Sequence, residues 1–316
     1  MSTLNTAMRF LPDARPEGSI EELTRTFRKK DNADFLTEVA RRLAQLQTEA
    51  PDAFDPGAVA CIGLAGMYGH VGYGLRRAQE VVRIDMAPSY WSHAFLLTSA
   101  LGDTADKNRT PDQSAWIWEC SLEPGAVSTF FHLRNGVCPR PLADYTRADF
   151  SLSAMSVPNL AILAVELSAS ERKQILERAN QPDVDQVHYN LASLLGDWYD
   201  YLTNRATEPN PLGNGKAIPS ASYVQLAYDA VGIDLAPGAM QRTLTPEHLW
   251  QAFRYFQPTF RKEDAQSKAL VPRRMAGWYV VRDPACVLYP TELKKLPRSI
   301  TELIAACERE KRREGG

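Results

Sequence analysis

The sequence predicts an α+β protein in which a mostly antiparallel sheet packs against helices. Two features of the 316-residue chain indicate this class. From "AVACIGLAG" onward, short apolar runs alternate with turn residues, which is typical of strands. Before and after that region, apolar residues recur at helical spacing. With 44% hydrophobic residues, the chain is long enough for one large domain with sizeable additions.

The N-terminal part predicts a helix that packs on the main body. In "DFLTEVARRLAQLQTEA", Phe35, Val39, Leu43 and Leu46 fall on one stripe of a helix. Residues 1–55 are therefore expected to form a helical N-terminal extension.

Five segments are expected to be strands, and one polar segment is expected to join two of them. The strand candidates are "EVVRIDM", "SHAFLLTS", "SAWIWEC", "AVSTFFHL" and "NLAILAVEL". The connection "GDTADKNRTPDQ" suits a hairpin loop. In "SAWIWEC", alternation places Ile117 and Glu119 on one face and Trp118 and Cys120 on the other.

Helices are expected after these strands. Ser168 stands three residues before Glu171, a capping-box pattern that predicts a helix with Ile175 and Leu176 on its inner side. A second helix is expected in "YNLASLLGDWYDYL", and "TNRATEPNPLGNGKAIPS" suits a surface loop or lid. Residues 242–316, with helices "TPEHLWQAF" and "SITELIAACEREKRRE" around "GWYVVRDPACVLY", are expected to form a C-terminal extension or subdomain.

Composition excludes several function classes. A formal net charge of -2 gives no electrostatic case for a nucleic-acid partner or an acidic membrane surface. The chain shows neither a membrane-spanning apolar stretch nor a secretory signal, so we expect a cytoplasmic protein as synthesised, with signal-independent export left open. Five cysteines without a CxxC spacing argue against a disulfide framework and a zinc site, and no cofactor is expected.

The segment "PSASYVQLAYDAVGIDL", residues 219–235, places an alanine where a reactive group would be favoured. Val224, Ala227 and Val231 recur at helical spacing, so Ala221 lies on the buried stripe in the first turn of the predicted helix. Unpaired N–H groups and the helix dipole lower the pKa of a thiol at such a position. Position 221 therefore suits a nucleophilic cysteine.

Three segments resemble one known family. "SASYVQLAYDAVGIDL" resembles the nucleophile helix of NlpC-type papain-like cysteine hydrolases, with Ala221 at the cysteine position. "YWSHAFLLTS" resembles the histidine strand of their circularly permuted branch, the YiiX-like amidases and the lecithin:retinol acyltransferase group. "AWIWECSLEPGAV" resembles the neighbouring strand, and "RPLADY" follows it in the family's order.

The resemblance implies a permuted papain-like catalytic domain over residues 56–241. It implies that His93 is the general base, that Glu119 orients the imidazole, and that position 221 carries the nucleophile. Residues flanking the site are then expected to contact a peptide or acyl-amide substrate: Trp91, Ser92, Ser220 and Ser222.

Other candidates for the reactive groups are weaker. His248 lies on a predicted helix where the resemblance places no histidine. Cys61 is expected to lie in the core, and Cys120 is expected to have only a packing role. Cys138, in a predicted loop, is the one alternative nucleophile. Ala221 is either a deliberate replacement, which the intact surroundings favour, or the mark of a natural inactive relative.

Three functions remain open at this stage. The first is an amidase or peptidase that works through a thioester, directed at cell-wall peptides and delivered as a bacterial effector or toxin with an immunity protein as partner. The second is an inactive binding or scaffold protein with the same cleft. The third is a lipid-directed thiol acyltransferase.

Overall fold

A computed structural model describes ten parts of the chain: residues 32–49, 61–67, 69–83, 87–99, 101, 110–122, 135–146, 157–181, 218–261 and 275–281. Its helices are α1 (Asn32–Glu49), α2 (Gly69–Ala78), α3 (Pro111–Ser114), α4 (Ala169–Ala179), α5 (Ser220–Asp229) and α6 (Pro246–Arg261). Its strands are β1 (Ile62–Gly66), β2 (His93–Leu97), β3 (Trp116–Leu122), β4 (Asn135–Pro141), β5 (Asn159–Val165) and β6 (Met275–Val281).

The strands form one sheet in the order β4-β3-β2-β1-β5-β6, and every neighbouring pair is antiparallel. The predicted α+β class is thereby confirmed at the level of an antiparallel sheet with packed helices. Alternation along the strands divides the core into two clusters, one on each face of the sheet.

Helix α1 covers one face of the sheet. Phe35, Val39 and Leu43 are buried and Leu46 is partly buried, as the N-terminal stripe predicts. They pack with residues of the strands that include Phe95. We call this side the α1 face.

Helices α4, α5 and α6 contribute to the cluster on the opposite side, which we call the α5 face. Helix α4 begins with the predicted capping box: the Glu171 N–H donates to Ser168 Oγ at 3.2 Å, and the Ser168 N–H donates to Glu171 Oε2 at 2.8 Å. Ile175 is fully buried and Leu176 partly buried, which confirms the inner side expected for this helix.

Two expectations about strands were wrong. The first part of "EVVRIDM" forms a 3-10 turn over Glu80–Val82, in which the Arg83 N–H donates to the Glu80 carbonyl at 3.0 Å. "NGVCPRP" is strand β4, not a loop. Its two prolines are tolerated because β4 lies at the edge of the sheet, where a missing N–H breaks no ladder on the outer side.

Several expectations lie wholly or largely outside the described residues: the strand "AVSTFFHL", the helices "YNLASLLGDWYDYL" and "SITELIAACEREKRRE", and most of the loop at 203–220. In "GDTADKNRTPDQ", residues 102–109 are also outside. The end of that segment forms the short helix α3, which starts with a capping box at Thr110 and Gln113.

The described part of residues 242–316 continues the main body. Strand β6 pairs with β5 over seven positions, from Asn159↔Val281 to Val165↔Met275. Trp250 and Phe253 of α6 are buried in the cluster on the α5 face. Within the ranges given above, no helix combines the length and apolar character needed to cross a membrane.

A close approach in the centre of the sheet generates a stability prediction. A Cβ added to Gly63 would lie 2.0 Å from the ring of Phe95, which is fully buried and stacks on Tyr145 with ring centroids 4.9 Å apart. We expect Gly63→Ala to lower the free energy of unfolding by about 1–3 kcal/mol in urea denaturation, because the ring has no free space to enter.

Gly277→Ala is the matched control. Its Cβ would meet the end of the Leu163 side chain at 3.1 Å and the Ile162 carbonyl oxygen at 3.9 Å, an ordinary contact distance, so a much smaller change is expected. Equal losses for the two variants would contradict the packing argument.

Candidate active site

The structure brings His93 and Glu119 together. His93 is the first residue of β2 and Glu119 lies on β3, with His93 Nε2 3.0 Å from Glu119 Oε2. Both side chains are buried, at 4% and 1% exposure. Because this contact occupies Nε2, the other ring nitrogen, Nδ1, is the atom left for exchanging a proton with a third group.

Two further side chains hold Glu119. The Tyr145 hydroxyl donates to Glu119 Oε2 at 2.5 Å, and Arg140 Nε lies 2.9 Å from Glu119 Oε1 in an ion pair. Sequence reasoning singled out the segment "RPLADY", which begins with Arg140 and ends with Tyr145, but gave neither residue a role. The segment shows a cation and a phenol, but no local signal indicates that they face Glu119.

The environment keeps Glu119 ionised. Burial opposes ionisation, but the hydrogen bond and charge of His93, the charge of Arg140 and the hydrogen bond from Tyr145 outweigh it and lower the pKa of Glu119 to about 2. A carboxylate held in this way accepts hydrogen bonds and is a poor acceptor of protons. It can therefore fix the imidazole ring and stabilise its positive form without taking its proton.

His93 and Glu119 belong to the α1 face of the sheet. The register pairs His93 with Ala65, and alternation groups Glu119 with Ile117; both neighbours belong to the α1-face cluster. Ala221 packs in the cluster on the α5 face. Contact between a side chain at position 221 and His93 would therefore require an opening in the sheet.

Strands β2 and β3 are paired over only part of their length, and we call the unpaired stretch between them the opening. They pair only at Leu96↔Trp118 and Leu97↔Ile117, so the start of β2 and the end of β3 separate. The start of α5 contacts both strands there: the Ala94 N–H donates to Ser220 Oγ at 3.1 Å, and Cys120 Sγ donates to the Ile218 carbonyl at 3.7 Å. The predicted nucleophile position is thus one residue from a group bonded to the neighbour of His93.

The first turn of α5 presents N–H groups ahead of the helical ladder. The ladder begins with Tyr223 N–H donating to the Pro219 carbonyl at 3.0 Å, and Pro219 supplies no side-chain cap. The N–H groups of residues 220–222 precede that bond. Ala221, which has no exposed surface, therefore stands where partial positive charge is concentrated.

The four residues expected to bind substrate have internal contacts. Trp91 is fully buried and packs edge-on against Trp250, with ring centroids 5.0 Å apart. Ser92 Oγ accepts from the Met67 N–H at 2.9 Å. Ser220 binds Ala94 as described, and Ser222 Oγ donates to the Gln241 carbonyl at 2.5 Å. What the structure shows for these four is a scaffold role, and substrate binding by them stays a prediction.

The alternative reactive groups are also buried. Cys138 lies on β4 opposite Glu119 and is 4% exposed, so its predicted loop location was wrong. His248 Nδ1 accepts from the Thr245 N–H at 3.1 Å, and burial lowers its pKa to about 3. Cys61 and Cys120 are buried as expected, and burial raises the pKa of both thiols.

Comparisons with protein-family models, with curated proteins and with solved structures gave no match. Among the described residues, no group of three or more His, Cys, Asp and Glu side chains is arranged to hold a metal ion.

The lowered pKa of Glu119 predicts an acid-dependent loss of stability. Since the folded-state pKa of about 2 lies below the ordinary value of 4.5, the carboxylate stabilises the fold above about pH 4.5. That contribution, on the order of a few kcal/mol, is lost as the pH falls towards 2. Urea unfolding at a series of pH values should show this slope, and Glu119→Gln should flatten it while lowering stability at neutral pH. An unchanged slope in the variant would contradict the ionisation of Glu119.

Two buried tyrosines offer a matched comparison of hydroxyl groups. Tyr145 donates to a carboxylate, whereas the hydroxyl of Tyr279 has no hydrogen-bond partner in the part of the chain that is described. We expect Tyr145→Phe to cost about 1.5–3 kcal/mol of unfolding free energy, because it removes a hydrogen bond to a charged group. Tyr279→Phe should be close to neutral. Similar changes in both variants, measured by urea denaturation, would contradict the assignment of Tyr145.

Proposed function

We propose that this fold supports a thiol hydrolase reaction when cysteine occupies position 221, and that the Ala221 form is inactive because it lacks the nucleophile. The observation that carries the proposal is the buried His93–Glu119 pair beside the opening in which α5 begins. An imidazole with one nitrogen fixed by a carboxylate, next to an uncapped helix start, is the arrangement that thiol activation requires.

The reaction follows from the roles of these groups. His93 Nδ1 takes the proton of the thiol at 221, and the sulfur forms a bond to the carbonyl carbon of an amide. The N–H groups of residues 220–222 stabilise the oxyanion. When the C–N bond breaks, His93 returns the proton to the leaving amine and a thioester remains.

Hydrolysis then regenerates the site. His93 takes a proton from water, the hydroxide oxygen attacks the thioester carbonyl, and the C–S bond breaks to release a carboxylic acid. The proton returns to the sulfur. Glu119, fixed by Tyr145 and Arg140, keeps one ring orientation through both halves of the cycle.

The proposed substrate class is a peptide or acyl amide. This choice rests on the resemblance to permuted NlpC-type hydrolases, from which cell-wall peptides are the first candidates and a secreted bacterial effector the first biological setting. An immunity protein would then be the expected partner.

A binding protein with the same architecture is the second candidate. The observation that favours it is Ala221 itself, since the site as it stands has no nucleophile at that position. Such a protein would use the opening between β2 and β3 for recognition, and its ligand binding would not depend on His93.

The first test introduces a thiol with Ala221→Cys and follows its ionisation by ultraviolet thiolate absorbance and its reaction with a small electrophile mapped by mass spectrometry. We expect a thiolate at neutral pH and labelling about tenfold or more faster than at Cys138, because the helix start and His93 stabilise the anion. Adding His93→Ala should abolish both properties.

Ala227→Cys is the matched control. Ala227 is buried in the same helix but lies beyond its first turn, so a thiol there should remain neutral. If the thiol at 221 behaves like the one at 227 and ignores His93, the hydrolase proposal fails and the binding protein remains.

A further inference from the structure

The segment that leads into β2 sets the position of His93. Residues 87–92 belong to no helix or strand, and His93 follows them directly. Among the described residues, the start of β2 has no strand partner on its β3 side, because pairing there is confined to Leu96 and Leu97. The location of the imidazole therefore depends on β1, on the contacts with Ser220 and Glu119, and on the groups that fix residues 87–92.

Side chains hold both polar groups of the Trp91 backbone. Its N–H donates to Ser89 Oγ at 3.0 Å, and its carbonyl accepts from Gln79 Nε2 at 2.8 Å. Ser89 is also tied through its own backbone, with its N–H donating to the Arg76 carbonyl at 2.9 Å and its carbonyl accepting from Arg76 Nε at 2.7 Å.

One buried acid, Glu247, joins these contacts. Ser89 Oγ donates to Glu247 Oε2 at 2.6 Å, and the backbone N–H of Glu247 donates to Gln79 Oε1 at 2.9 Å. The other carboxylate oxygen, Oε1, accepts from Gln251 Nε2 at 2.5 Å and lies 3.6 Å from Arg83 Nη1. Both side chains that hold the Trp91 backbone are therefore held in turn by Glu247, a residue of α6.

The residue between this network and His93 is Ser92, and it is also held by hydrogen bonds. After Trp91, the Ser92 N–H donates to the Ala65 carbonyl at 2.8 Å, and Ser92 Oγ accepts from the Met67 N–H at 2.9 Å. The next residue is His93. The three successive peptide units from Ser89 to Ser92 thus have named partners, and the Ser92 side chain has one as well.

The burial of these groups argues that position, and not stability, is what the network provides. Gln79, Ser89 and Glu247 are fully buried, and the free-energy cost of burying a carboxylate is offset by its partners only if their geometry is good. Well-packed apolar residues would hold the same helices together at lower cost. Polar side chains, in contrast, impose one direction on each bond.

We infer that Glu247 is a positioning residue for His93: its carboxylate acts through Ser89, and its backbone N–H acts through Gln79, on the backbone of Trp91. The consequence for the reaction rests on the proposed function, whereas the consequence for the ring of His93 does not. Glu247 lies 154 positions after His93 in sequence, so the start of α6 and the site would be mechanically linked.

The test uses Ser89→Ala and Glu247→Ala, each measured in two settings. In the chain as it stands, the ring N–H proton shared by His93 and Glu119 is followed by NMR and identified by its loss in His93→Ala. We expect both variants to shift or broaden this signal and to speed its exchange with water. In the Ala221→Cys background, we expect electrophile labelling at 221 to slow by about tenfold or more, because small misplacements of a reacting group cost large factors in rate.

Two controls separate positioning from general loss of stability. Ser168→Ala removes the cap of α4, which destabilises the protein away from the site, and should leave the His93 signal and the labelling rate unchanged. Glu247→Gln keeps an oxygen for the Ser89 hydroxyl and should lie closer to the parent than Glu247→Ala. Ser89→Ala deletes a single hydroxyl, so it remains informative if Glu247→Ala fails to fold.

The outcomes distinguish this inference from the proposed function. An unaltered His93 signal in Ser89→Ala would overturn the inference. An altered signal with no His93-dependent labelling at 221 would overturn the hydrolase proposal and leave the positioning role intact. A loss of signal in Ser168→Ala equal to that in Ser89→Ala would also overturn the inference, because general destabilisation would explain both.

Discussion

The carboxylate of Glu119 is the group on which the arrangement of the site depends. It is buried, and a buried charge is stable only when its oxygens are satisfied by cations or strong donors. His93, Arg140 and Tyr145 supply these contacts from three different places in the chain. The contacts of this one charge therefore hold β2, β4 and the 3-10 turn Leu142–Tyr145 at the same point on the α1 face.

The second feature of the site is the incomplete pairing of strands β2 and β3. Where β2 and β3 separate, backbone groups that a strand would satisfy are taken by other partners, among them the hydroxyl of Ser220. The start of α5 thereby reaches the edge of the opening while the helix itself packs on the opposite face. Residue 221 belongs to that first turn, so a side chain there would reach the histidine on the other face only through this unpaired stretch.

Much of this could be predicted from the sequence. The stripe of α1, the capping box of α4 and the alternation of β3 follow from spacings of a few residues, whereas the approach of Glu119 to His93 was implied by the family resemblance. Two local predictions failed because tertiary context outweighed local pattern: prolines that indicated a loop lie on an edge strand, and the apolar run after Glu80 closes a turn. The roles of Arg140 and Tyr145 were missed because nothing local shows which acid they face.

By itself, the sequence determined the class of fold and the helix start near position 221, since both are written in the periodicity and residue types of single segments. The pairing of His93 with Glu119 was expected only from the family resemblance, because the two residues belong to different segments. Only the tertiary structure decided which groups keep Glu119 ionised and how many residues of β2 and β3 pair. It also decided that Glu247 is hydrogen-bonded to Ser89, in the segment before His93. The physical reason is that desolvation and hydrogen-bond direction depend on groups brought together from distant positions. Burial, which sets the strength of every charge in the site, exists only once the chain has folded.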